Sequence, residues 1–372
     1  MDKPTIIAFY LPQYHPFKEN DEWWGKGFTE WTNVGKAKPL FKGHNQPRVP
    51  TELGYYDLRL PIIREQQAQM ARDAGVSAFC YWHYWFGNGK RLIPEVFQEV
   101  LDSGEPDFPF CLGWANHSWY AKNWNADGTI SQKVLMEQLY PGIDDAKMHF
   151  DFLLRAFRDK RYVKVSGKPL LFIFDSEKIP DEYIKNFRKW TIEAGFPDIY
   201  LVANIAFARQ DKQNLIERGF DAVTYQRLAG GSTNTTIRNM GRIGRCFHKL
   251  FSLIKGIILR RPPFMTDYKK FRKFLITSEE SNEDVIPSLL PQWDHTPRSG
   301  WNGTFFINAT PENFYDHSKE VLSVVKNKGN QLIFLKSWNE WGEGNMMEPD
   351  MTYGRGFINA LRRAIDDVYI EN

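Results

Sequence analysis

Short apolar, β-branched or aromatic runs alternate along the chain with stretches whose apolar residues recur at helical spacing. TIIAFYLP (5–12) reads as a first strand, and after a long segment LPIIREQQAQMARDAG (60–75) reads as a helix that Gly75 ends. VSAFCYWHYW (76–85) is a second strand, IPEVFQEVLDSG (93–104) a helix and FPFCLGWAN (108–116) a third strand. A helix near 143–157 precedes KPLLFIFD (168–175), the fourth strand; a helix over 181–194 precedes IYLVANIA (199–206), the fifth. A short helix (211–218) leads to FDAVTYQ (220–226), the sixth. VIPSLLPQWD (285–294) is the seventh, weakened by Pro287 and Pro291, which cannot donate to a ladder. A helix over 311–328, the strand QLIFLKSW (331–338) and a last helix at about 355–369 complete the series.

Eight strands alternating with helices predict an α/β fold, a (β/α)8 TIM barrel, as a single domain over 1–372. The alternative is an open doubly wound sheet, but no glycine-rich phosphate loop follows the first strand. Two long excursions are expected, one over 13–57 and one between the sixth and seventh strands.

In a barrel, chemistry gathers where strands end, and the polar and aromatic residues of this chain concentrate there. The first strand ends in Gln13, Tyr14 and His15, the second in Tyr81, Trp82, His83, Tyr84 and Trp85, the third in Trp114, Asn116, His117 and Trp119. Asp175 ends the fourth and Asn204 lies on the fifth. The seventh ends in Gln292, Trp293, Asp294 and Arg298, the eighth in Trp338, Asn339, Glu340, Trp341 and Glu343. Singly, each has an ordinary explanation in packing. Together, aromatic faces beside amides and carboxylates suit a polyhydroxylated ring, whose C–H face stacks while its hydroxyls find partners. An oligosaccharide or polysaccharide is the expected ligand. The sugar-binding candidates are Tyr14, His15, Tyr81, His83, Tyr84, Trp114, Asn116, His117, Asn204, Trp293, Asp294, Arg298, Trp338, Asn339 and Trp341.

Glu340 and Glu343 are the catalytic candidates. Residues three apart point to opposite faces of a strand but converge in a turn or first helical turn, and Gly342 and Gly344 permit such a turn. Two close carboxylates separate their pKa values into one acid and one base, and a pair about 5 Å apart fits retaining glycoside chemistry. His15, His83 and His117 with Asp175 or Asp294 lack short-range ligand spacing, so no metal and no cofactor is expected.

Composition adds limits. Aromatic residues make up 15% of the chain, enough for both core and ligand platforms, and the net charge of +3 gives no reason to expect nucleic acid. Three cysteines, Cys80, Cys111 and Cys246, without a C-x-x-C pair, fit a reducing compartment. The N-terminal residues carry no secretory signal pattern and no apolar run approaches the roughly 20 residues of a membrane span, so a cytoplasmic protein is expected.

Several stretches resemble the WbsX-type proteins of polysaccharide and O-antigen gene clusters. They include FYLPQYHPFKENDEWWGKGFTEWTNV (9–34), LFKGHNQPRVPTELGYYDLR (40–59), FCYWHYWFGNGKRL (79–92), FPFCLGWAN (108–116), YVKVSGKPLLFI (162–173), QWDHTPR (292–298) and SWNEWGEGNMMEPD (337–350). That family is similar to glycoside hydrolase family 99, the endo-α-mannosidases and endo-mannanases. The resemblance implies a (β/α)8 barrel acting on glycans without a metal. The family 99 N-E-W-x-E motif falls on Asn339–Glu343, which implies that Glu340 is the base that deprotonates a sugar 2-hydroxyl and Glu343 the acid/base at the leaving oxygen. Gly342 stands where the mannosidases have histidine, and His117 where the WbsX pattern usually has glutamate, so mannose specificity does not carry over. A glycoside hydrolase or transglycosidase is the leading expectation. A glycosyltransferase of O-antigen or lipopolysaccharide synthesis stays open, although no D-x-D motif is present, as does a non-catalytic glycan-binding barrel.

From Arg238 to Lys273 there are 11 Lys or Arg against one acid, Asp267, within an insertion at about 237–275. Ile243, Phe247, Leu250, Phe251, Ile254, Ile257 and Ile258 fall at helical spacing opposite Arg242, Arg245, Lys249 and Lys255. Such a pattern either packs on the barrel or lies on an anionic membrane; in the second case residues 240–262 make a peripheral contact at the inner membrane.

Overall fold

The first strand sets the plan of the molecule. β1 (Thr5–Tyr10) sends Phe9 inward and Tyr10 outward, and both are buried, as expected for a parallel strand covered on both faces. Phe9 lies 4.8 Å from the rings of Trp82 and Phe172 and 5.1 Å from that of Phe334, while the Tyr10 hydroxyl donates to Gln67 Oε1 at 2.6 Å on the helix behind. The structure is a computed structural model describing residues 3–124, 130–206, 210–227 and 265–369, together with Gly244, Cys246, Phe247, Leu250, Ile254 and Ile258.

The other barrel strands are β2 (Ala78–Trp85), β3 (Phe110–Trp114), β4 (Lys168–Ile173), β5 (Tyr200–Ile205), β6 (Ala222–Tyr225), β7 (Ser288–Leu289) and β8 (Leu332–Leu335). They pair in the order β6-β5-β4-β3-β2-β1-β8-β7, each pair parallel. A parallel bridge from Val223 to Val285 joins the two ends: Val223 N donates to Asp284 O and Ile286 N to Val223 O, both at 2.8 Å. This is the expected (β/α)8 barrel. The seventh strand is much shorter than the run 285–294, because Pro287 and Pro291 flank the two residues that pair with β8.

The helices of six or more residues among the described residues are α1 (Lys18–Trp24), α2 (Glu30–Lys36), α3 (Pro61–Ala74), α4 (Glu95–Ser103), α5 (Ile143–Phe157), α6 (Asp181–Glu193), α7 (Lys212–Glu217), α8 (Pro311–Val325) and α9 (Gly356–Tyr369). α3 ends at Gly75, left-handed at φ +86° as its position requires. The excursion after β1 holds two helices that hydrophobic periodicity did not announce. Thr29 caps α2 by accepting from Trp31 N, and Trp31 Nε1 donates to Tyr56 O at 2.7 Å, which docks α2 over the mouth of the barrel. A hairpin, Trp119–Trp124 with Ile130–Met136, rises after β3 beside the same mouth. The expected insertion lies largely outside the described residues; its end, Met265–Asp267, pairs with Phe305–Ile307.

Candidate active site

The chain leaving β8 is held at both ends. Asn339 grips the end of β1, accepting from Leu11 N at 2.8 Å and donating to Leu11 O at 3.0 Å. Asn339–Glu340 then pairs with Asn345–Met346 around a single 3-10 turn, Trp341–Glu343. Trp341 N donates to the Tyr14 hydroxyl at 2.9 Å, and its indole N–H donates to Glu348 at 2.6 Å. Gly344 closes the turn at φ +55°, where a Cβ would sit 2.7 Å from that of Asp294. The turn therefore brings Glu340 and Glu343 to the same side.

One guanidinium joins them. Arg298 Nη2 lies 2.7 Å from Glu340 Oε1 and Nη1 2.6 Å from Glu343 Oε1. A third carboxylate, Glu30 at the start of α2, completes the cluster, its Oε2 2.9 Å from Arg298 Nη2. Gly342 is small because Glu30 and Arg298 fill the space beside it: a Cβ there would lie 2.5 Å from Glu30 Oε2 and 3.0 Å from Arg298 Nε. Its φ is not in the left-handed region, so here space, not backbone freedom, demands glycine.

The cluster separates the two carboxyl groups. Burial pushes Glu340 up to about 8, against the pull of Arg298 and with repulsion from Glu343 and Glu30 added. Burial works in the same direction on Glu343, but Arg298, His295 and Lys336 outweigh it and hold the group down to about 2. At neutral pH the pair therefore holds one proton, and burial with repulsion from Glu343 and Glu30 favours Glu340 as its site. Burial works against the charge of Arg298 too, and its three carboxylate neighbours more than reverse the effect.

These groups line a cavity of about 790 Å³ at the C-terminal ends of the strands. Of the expected residues, Tyr84, His117, Trp293, Arg298, Glu340 and Glu343 line it. Others are turned away. Strand alternation sends Trp82 and Tyr84 toward the cavity and Tyr81 and His83 toward the helices. Tyr81 packs on Phe97 of α4, and His83 Nε2 sits 2.9 Å from His149 Nε2 of α5. Trp114 is likewise packed against His149, and its indole N–H donates to Trp85 O. These three do not line the cavity, a correction that follows from the period of two.

A further group supports the cavity from behind. Asn116 joins β3 to β4 through Asp175 N and O, at 2.7 and 2.9 Å. Asn204 donates to Phe174 O and to Gln226 Oε1. Asp294 accepts from Gln46 and Thr296, lies 2.9 Å from His44 Nε2, and donates its N–H to Glu343 O. Tyr14, Trp338, Asn339 and Trp341 are buried under the turn, and His15 is buried beside Phe17. None of these lines the cavity either, because each spends its polar atoms or its ring on holding a loop.

His15, His83 and His117 are not brought together, and among the described residues no three His, Cys, Asp or Glu side chains are arranged to hold a metal ion. Glu30, Phe174, Gln226, His295, Lys336 and Asn345 line the cavity without having been expected there. The signal for Glu30 was its place in the stretch FTEWTNV, within the longest of the matching segments.

A family model described as glycosyltransferase WbsX matches residues 6–361. The chain belongs to the WbsX family. Two curated relatives, both "Uncharacterized protein WxcX" of Xanthomonas campestris pv. campestris, are 33% identical over 370 residues, covering 97% of this chain and 49% of the relative. The chain thus spans about half the length of the curated relatives it matches. Among solved structures, the GH99 endo-alpha-mannosidase from Bacteroides thetaiotaomicron in complex with Bis-Tris propane is similar at TM-score 0.59 and 17% identity, covering 98% of this chain and 97% of the other. A structure titled "Glycoside hydrolase-like protein" is similar at TM-score 0.58 and 14% identity, covering 98% and 94%. At these identities the likeness is one of fold, and this WbsX member shares the barrel of both.

Proposed function

We propose that the chain is a glycoside hydrolase or transglycosidase that acts on a bacterial surface or lipid-linked polysaccharide through Glu340 and Glu343. The observation that carries this reading is the pair of carboxyl groups on one guanidinium, sharing one proton, in an aromatic-walled cavity at the strand ends. Glu340 gives its proton to the glycosidic oxygen as the bond from the anomeric carbon to that oxygen breaks. Glu343 takes a proton from the hydroxyl that attacks the anomeric carbon, whether from water, an acceptor sugar or the ring's own C2. The two transfers together leave Glu340 ionised and Glu343 protonated, ready for the reverse step.

These resting roles are opposite to those that the family resemblance carries over, in which Glu340 is the base. The carried-over roles follow if a bound sugar draws Arg298 off Glu343, because the guanidinium is what most favours ionisation of Glu343. The family description favours a second reading, glycosyl transfer from a sugar nucleotide. Incubation with bacterial oligosaccharides, with and without nucleotide sugars, separates the two. Cleavage without nucleotide, lost in Glu343→Gln, supports the first reading. Product formed only with a nucleotide sugar supports the second, and binding without turnover of either kind sinks both.

We further propose that the protein is cytoplasmic and rests on the anionic inner leaflet through residues 240–262. Phe247, Leu250, Ile254 and Ile258 are helical, share one face by their spacing, and are 67%, 54%, 47% and 73% exposed. Apolar residues packed on the barrel would be covered, so these four favour the membrane alternative over the packed one. The other members of the pattern, including its arginines and lysines, lie outside the described residues. No described helix is long and apolar enough to cross a membrane. Co-sedimentation with phosphatidylglycerol vesicles is expected for the full chain and not for one carrying aspartate at 247, 250, 254 and 258. Equal recovery of both in the pellet, or of neither, removes the idea.

A further inference from the structure

Of the three cations that line the cavity, Lys36, Arg298 and Lys336, the last two differ in their situations. Arg298 is saturated by three carboxylates. Lys336, the first residue after β8, is half-buried at the cavity floor, and its ammonium, unlike its backbone N–H, donates no hydrogen bond to any described residue. Its ammonium stands 5.9 Å from the centre of the Phe9 ring. An ammonium carries three donors, and that of Lys336 lines the cavity with none of them given to a described acceptor. Burial lowers its pKa to about 8, while Glu343 and Glu340 act on it only at longer range. It is charged at neutral pH and lacks a hydrogen-bonded counterion.

The floor beside it is a platform. Phe9 stacks on Trp82 at 4.8 Å, Trp82 meets Phe174 edge-on at 5.8 Å, and Phe174 lies 4.9 Å from the His117 ring. Trp82, Phe174, His117 and Lys336 all line the cavity. A sugar ring on Trp82 would therefore have Lys336 at one edge and His117 at the other. His117 is kept uncharged, since burial lowers its pKa, and its Nδ1 has no hydrogen-bond partner. Asp175 acts on the His117 end and Glu343 and Glu340 act on Lys336 from further off, while Lys36 of α2 adds positive charge at the cavity wall.

We propose that the sugar bound over Trp82 carries an anionic substituent, a carboxylate or a phosphate, and that Lys336 binds it. The substrate class is then an acidic glycan. This rests on the reading of the cavity as a glycan site, and the test is built so that the two can fail separately.

Thio-linked disaccharides, which resist cleavage, are titrated calorimetrically in pairs that differ only at C6. The pairs are glucose against glucuronate, mannose against mannuronate, galactose against galacturonate, and mannose against its 6-phosphate. In the wild type the acidic member of at least one pair is expected to bind at least tenfold more tightly. That preference is expected to fall to near unity in Lys336→Met and to survive in Lys336→Arg. The pair that responds tells carboxylate from phosphate. No acid preference in any pair, or a preference that persists in Lys336→Met, overturns the proposal while leaving the glycan site standing. If Lys336 were only a countercharge for Glu343, Lys336→Met would weaken both members of a pair alike, which also overturns it. No binding by any disaccharide removes the glycan site and this proposal together.

Discussion

Glu30 closes over Gly342: a methyl group on that glycine would sit 2.5 Å from the glutamate's Oε2. A residue from the first excursion and one from the last turn thus compete for one space, and the glutamate occupies it. Gly342→Ala is expected to push Glu30 off Arg298 and lower kcat/KM at least tenfold, about 1.4 kcal/mol. In a Glu30→Ala background the same substitution should cost less than about threefold, because the shortest contact is gone and only the longer ones to Arg298 remain. Equal losses in the two backgrounds would show that Glu30 does not set the size of residue 342.

The proton held on Glu340 gives the reaction a pH signature. With Glu340 as acid near 8 and Glu343 as base near 2, kcat/KM should be flat through the mildly acidic and neutral range. It should then fall above about pH 8 as Glu340 loses its proton. Glu340→Gln and Glu343→Gln are each expected to lower kcat by roughly 10²–10⁴-fold. An activity that climbs through pH 8 would assign the roles the other way round.

Arg298 acts by shape as well as charge. Its fork touches Glu30, Glu343 and Glu340 through separate nitrogens, which the point charge of a lysine does not reproduce. Arg298→Lys should keep the fold and lose about 10²-fold in kcat/KM. Arg298→Met removes the only cation in contact with Glu30, Glu340 and Glu343 among the described residues, and should cost roughly 3 kcal/mol in urea unfolding. Equal stability of Arg298→Met and wild type would mean that the cluster takes up protons at little cost.

Glu348 makes stability depend on pH. Burial pushes it up to about 7, although Trp341, Gln67 and Tyr56 all donate to it. The folded state therefore keeps a proton that the unfolded chain releases near pH 4.5. That contribution is fully present below about 4.5, declines as pH rises to about 7 and is constant beyond. Between pH 4.5 and 8 wild type should lose about 3 kcal/mol relative to Glu348→Gln, at 1.4 kcal/mol per pH unit. Urea midpoints of both proteins at the two pH values measure it, and parallel curves would place Glu348 as a permanent carboxylate.

The barrel was legible because its signal is local. Apolar runs and helical periodicity placed each strand within a few residues, and Gly75 stopped its helix where expected. The catalytic candidates were legible because Glu340 and Glu343 share one turn. Which strand-end residues face inward was also in the chain, since Trp82 and Tyr84 alternate with Tyr81 and His83, but listing strand ends without parity merged the two faces. Glu30 and Lys336 were not legible by pattern. Glu30 reaches the cavity only because Trp31 docks α2, and Lys336 has meaning only against the aromatic floor it stands on. Those are contacts between segments far apart in the chain.

β1 lies between β2 and β8, and Asn339 fastens the turn after β8 to Leu11. β1 therefore keeps an open edge until β8, the last of the eight strands in chain order, is made. Glu340, Glu343 and the asparagine that aligns them arrive in that same last stretch. A barrel cut before this stretch therefore lacks both Glu340 and Glu343 as well as the asparagine that fastens their turn.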